Sequence, residues 1–76
     1  MKRELYLMLY NQAQADRSKA LLSLDLLGNN GVGIGDHSTE DFYNNANDAL
    51  TMLVDADDRI KALENYFGGN KTSLQG

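Results

Sequence analysis

Apolar residues recur at spacings of four and three along two long stretches of this 76-residue chain, and no proline interrupts either one. In the second stretch Phe42, Ala46, Ala49, Leu53, Ala56, Ile60, Leu63 and Phe67 repeat without a break; Leu50 and Val54 widen the stripe, and Met52 lies off it. In the first, Tyr6, Tyr10, Ala13, Arg17, Ala20, Leu24 and Leu27 follow the same rule, flanked by Leu9 and Leu21, with Arg17 as the exception. That period is one face of an α-helix; a strand would alternate every second residue. The pattern predicts an all-α chain with a helix over 2–27, a glycine-rich loop over 28–37, a helix over 38–67 and a flexible tail over 68–76.

Local signals set the boundaries. Ser38 is an N-cap, Asp41 stands where a capping box places its Glu, and Glu40 and Asp41 suit the positive end of the helix dipole. "FGGN" is a stop, with Gly68 able to take the left-handed conformation that closes a helix, and "LGNNG" is expected to stop the first helix. At 1.5 Å per residue the first helix is roughly 39 Å long and the second roughly 45 Å. The loop returns the second beside the first as an antiparallel hairpin. Leu24 and Leu27 are then expected near Phe42 and Ala46, and Tyr6 and Tyr10 near Ile60 and Leu63.

A chain of this length buries only about 60% of the surface it exposes when unfolded. The absence of cysteine and the single histidine exclude disulfides and the usual structural zinc sites. Self-association is the stabilising device that is left. "LYLML" and "LLSLDLL" put leucine on more than one face of the first helix, and Ala13, Ala20, Ala46, Ala49 and Ala56 permit close helix approach. The expected architecture is therefore a hairpin that assembles into a homo-oligomeric helical bundle.

The net charge of −4 and pI of about 4.6 oppose phosphate backbones, so DNA and RNA are not expected partners. No apolar run is long enough to span a bilayer, and "MKRELYLMLY" lacks the features of a signal peptide. A cytoplasmic location is expected.

"GNNGVGIGDHST" offers the nearest approach to a binding motif. It has neither the preceding strand and G-x-G-x-x-G spacing of a dinucleotide site nor the lysine of a P-loop. Gly31, Gly33 and Gly35 would still permit close approach of a ligand to free backbone N–H groups. The alternative is a loop in which Val32 and Ile34 plug the end of the bundle. Asp36, Glu40 and Asp41 oppose an anion at the second helix start, whereas Asp36 and Thr39 could accept or donate hydrogen bonds at a base edge. His37, beside Asp36, could be a general base or one metal arm, but the sequence supplies no nucleophile or further ligand for it.

Two cations and one ring complete the candidate set. Arg17 in mid-stripe costs desolvation unless paired: Asp48 or Asp55 could take it, it could snorkel past the stripe, or it could hold phosphate bidentately between subunits, joined through oligomer geometry by Lys19 or Arg59. Tyr43, one turn past the loop, could stack on a base. "DADDR" lacks the glycine of a calcium loop and reads as a solvated helix face. No cofactor and no metal are expected.

In size, hairpin topology and need to oligomerise, the chain resembles small bacteriophage accessory proteins: the helical-hairpin oligomers that sequester cyclic-nucleotide immune signals. The resemblance rests on no residue motif. It implies a non-enzymatic anti-defence protein that holds a nucleotide-like ligand at subunit interfaces. Without the resemblance, the leucine-rich first helix reads as a module docking on a host or virion protein.

Overall fold

The computed structural model describes residues 1–30 and 38–68, and the described residues form two helices, α1 (Arg3–Asn30) and α2 (Ser38–Phe67), with no strand among them. They pack against each other along their length. Three cross-helix bonds fix the direction: Tyr10 meets Glu64, Asp16 meets Arg59 and Arg17 meets Asp57, so the α2 number falls as the α1 number rises. The hairpin is antiparallel, as expected, but its register is shifted by about one helical turn: Tyr10 is level with Glu64 and Arg17 with Asp57, which sets Leu24 level with Leu50 and not with Phe42 or Ala46.

The first helix runs three residues beyond its expected end. Gly28, Asn29 and Asn30 are helical, so "LGNNG" does not stop α1 where its composition suggests. Gly28 is exposed, and a Cβ built on it meets nothing within 4 Å, so the helix passes through without steric conflict. The remainder of the expected loop, 31–37, and the tail 69–76 lie outside the described residues.

α2 begins at Ser38, as expected, and ends at Phe67. The N–H of Gly68 donates to the carbonyl of Glu64 at 3.1 Å and closes the last turn. Glycine is required there by close approach, not by the left-handed backbone that the sequence suggested. A Cβ at Gly68 would stand 2.6 Å from the Glu64 carbonyl oxygen.

The seam between the helices is built from small residues. Ala13, Ala20, Ala49, Ala56 and Leu63 are buried, and among the described residues no large side chain is fully buried. Leu24, Leu27, Leu53 and Ile60 are half-buried beside them. Met52, expected off the stripe, is half-buried and shares a hollow with Leu27 and Ala49. It stands three residues after Ala49 and four before Ala56, and so on their face. The hairpin is elongated, 56 × 22 × 15 Å with a radius of gyration of 16.8 Å. A compact chain of this length would have a radius near about 11 Å.

Candidate functional site

The cross-helix bonds define two edges of the hairpin, and the candidate side chains among the described residues can be placed against them. One edge carries Arg17–Asp57 and Tyr10–Glu64; the other carries Asp16–Arg59. Helical steps of four and seven extend each edge. From Arg17, the first edge continues to Leu21 and Leu24 on α1; from Asp57, it continues to Leu53 and Leu50 on α2. From Asp16, the second edge continues to Gln12, Leu9 and Ser23; from Arg59, to Leu63 and Met52.

Arg17 and Arg59, the expected phosphate ligands, are both engaged by aspartates. Arg17 Nε donates to Asp57 Oδ1 at 2.9 Å. The partner is neither Asp48 nor Asp55, because the register sets Asp57 at the level of Arg17. Arg59 bridges two carboxylates, donating through Nη2 to Asp16 at 2.8 Å and through Nε to Asp55 at 2.9 Å. Gln12 donates to the other oxygen of Asp16 at 3.0 Å. The hydrogen bonds from Arg59 and then Gln12 hold the Asp16 carboxyl below its ordinary value of 3.8, and the bond to Asp16 raises Arg59. Two arginines among three aspartates leave this cluster one charge negative.

Tyr43 does not join them. It is exposed and makes an edge contact with Phe42, its ring centroid 5.6 Å away. Fourteen residues of α2 separate it from Asp57, about 21 Å along the helix axis. Within one chain, the ring and the two guanidinium groups therefore form no common site. Thr39 is exposed in the first turn of α2. Gly31, Gly33, Gly35, Asp36 and His37 lie outside the described residues. Among the described residues there is no cluster of three or more metal-ligating side chains, and no helix is long and apolar enough to cross a membrane.

The other tyrosines of α1 serve the fold. Tyr6 and Tyr10 stack at 5.8 Å. The Tyr10 hydroxyl donates to Glu64 at 3.3 Å and accepts from Gln14 at 3.2 Å.

Large apolar side chains are also exposed on the described surface. Leu5, Leu7 and Met8 are exposed at one end of α1, and Leu21, Leu22 and Leu26 at the other. Leu50 and Val54 are exposed on α2. On the Asp16–Arg59 edge, Leu9, Ala62, Leu63 and Phe67 line an open hollow of about 250 Å³ near the chain ends. A second hollow nearer the loop has Ser23, Asn45 and Asp48 among its walls. The double leucine runs of α1 signalled these surfaces in the sequence. The hollow around Phe67 gave no sequence signal, because it exists only where Leu9 and Leu63 meet across the seam.

Comparison with known proteins finds no family, curated protein or solved structure that matches this chain.

Proposed function

We propose that this chain is a non-enzymatic, self-associating helical hairpin that works as a protein-interaction module. The observation that carries the reading is the imbalance between interior and surface. The buried set is four alanines and one leucine, whereas twelve large apolar side chains are exposed among the described residues. Scattered surface leucines are ordinary, but six large apolar side chains gathered at the two ends of α1 are a surface for something to cover. Assembly into a helical bundle covers part of it. The chain-end region of α1, with Leu5, Leu7, Met8 and the Leu9 hollow, is the docking face for a different protein.

Cross-linking coupled to mass spectrometry tests this reading in the cell that makes the protein. A specific partner cross-linked near Lys2 is expected, and its capture should be lost in Leu5→Glu and Leu9→Glu variants but kept in Gly33→Ala and Gly35→Ala variants. Loss in the glycine variants alone would overturn the docking reading.

A second reading has one observation in its favour. Arg17 commits only its Nε to Asp57, and its terminal nitrogens make no other hydrogen bond among the described residues. Sequestration of a nucleotide-like signal at a subunit interface, as a phage anti-defence protein, would use those donors with Tyr43 and the 31–39 segment of other copies. Calorimetry against cyclic dinucleotides, cyclic trinucleotides and ADP-ribose derivatives separates the two. Saturable heat abolished by Arg17→Ala supports sequestration, and silence from folded protein removes it.

A further inference from the structure

We infer that the loop-proximal half of the Arg17–Asp57 edge is the seam on which a second copy of this chain packs, antiparallel, about a two-fold axis at Leu21. The inference deepens the self-association proposed above and rests on it. Leu21, Leu24, Leu50 and Leu53 form this half of the edge, with Val54 at its margin. Leu21, Leu50 and Val54 are 41%, 50% and 51% exposed. The corresponding half of the opposite edge is less suitable, because Ser23, Asn45 and Asp48 line its hollow.

Charge fixes the register and the occupant. Arg17 lies four residues before Leu21 and Asp25 four residues after it, on either side of the same helical row. An antiparallel two-fold through Leu21 sets Leu21 against Leu21 of the second copy. It also brings Arg17 level with Asp25 of the second copy, twice over. Arg17 has terminal donors left after bonding Asp57, and Asp25 is exposed with no ion pair among the described residues. The same axis is level with Leu53 and Val54 on α2, given the Arg17–Asp57 register, so these also meet their counterparts. Such an interface is self-complementary and closes at two copies. It leaves Leu5, Met8 and the Phe67 hollow uncovered at both ends of the dimer, where the partner-docking face was placed.

The chain lacks cysteine, so single-cysteine variants report the geometry directly. Oxidation of Leu21→Cys is expected to cross-link nearly all of the protein as a dimer, since a residue on the two-fold axis meets the Cβ spacing of a disulfide. Leu5→Cys under the same conditions is expected to stay uncross-linked. Asp25→Arg should weaken dimerisation about tenfold or more in sedimentation, by setting like charges together, while helix content by circular dichroism is unchanged. Cross-linking of the Leu5→Cys variant with none in the Leu21→Cys variant overturns this seam but leaves self-association standing. A wild-type monomer at micromolar concentration overturns both.

Discussion

Arg59 on α2 reaches across the hairpin to Asp16 on α1 at 2.8 Å while holding Asp55, one turn back on its own helix, at 2.9 Å. The bridge joins a contact between helices to a contact within one. Its acid sensitivity follows from Asp16. The folded-state carboxyl titrates below its ordinary 3.8, chiefly through the Arg59 hydrogen bond, so its contribution to stability is present above about pH 4 and is lost as the pH falls through the lowered value. Asp16→Asn is expected to be less stable than wild type near about pH 6, with the difference shrinking as the pH falls below the ordinary carboxylate range. Urea melts above and below that range, at one protein concentration, check the sign.

Gly28 is helical, exposed and without a neighbour within 4 Å of a built Cβ. Gly28→Ala should stabilise the protein by about 0.5–1 kcal/mol, because alanine loses less backbone entropy in a helix. A thermal midpoint below wild type would show that residue 28 leaves the helix in solution.

Gly68→Ala should act in the opposite sense. Its Cβ meets the Glu64 carbonyl oxygen, so the last turn of α2 must shift or open. Hydrogen exchange at the residue 68 amide is expected to rise several-fold while exchange in mid-helix is unchanged.

Ala20 is fully buried in the seam. Ala20→Leu should cost about 1–3 kcal/mol by forcing the helices apart, although leucine is the better hydrophobe and nearly as good a helix former. Denaturant titration measures the loss. Ala15→Leu, at an exposed position of the same helix, serves as the control.

The helices and their antiparallel pairing are legible because a 3.6-residue period repeated over about seven turns leaves one apolar face on each segment. The same period locates Ala13, Ala20, Ala49, Ala56 and Leu63, which the structure buries. It does not identify Asp57 as the partner of Arg17. That choice depends on a small axial shift between the helices, and such a shift is invisible in either helix alone. The end of α1 misleads for a related reason. A Gly-Asn-Asn run is a poor helix former, yet a helix already nucleated and packed extends over a few such residues at small cost. The composite ligand set, Arg17 and Arg59 with Tyr43, is expected from the sequence between subunits; within one chain the two arginines lie at one level of the hairpin and helical rise separates Tyr43 from them.

The two ion pairs have a mechanical consequence. Asp16 and Arg17 are adjacent in α1 and opposite in sign, and they grip Arg59 and Asp57 on opposite edges of the hairpin. Rolling α2 about its own axis carries it toward one grip and away from the other, so any roll is met by a restoring torque from the stretched side. Sliding α2 along α1 stretches both grips together. The charged quartet therefore works as a vernier, favouring one angular setting of the two helices.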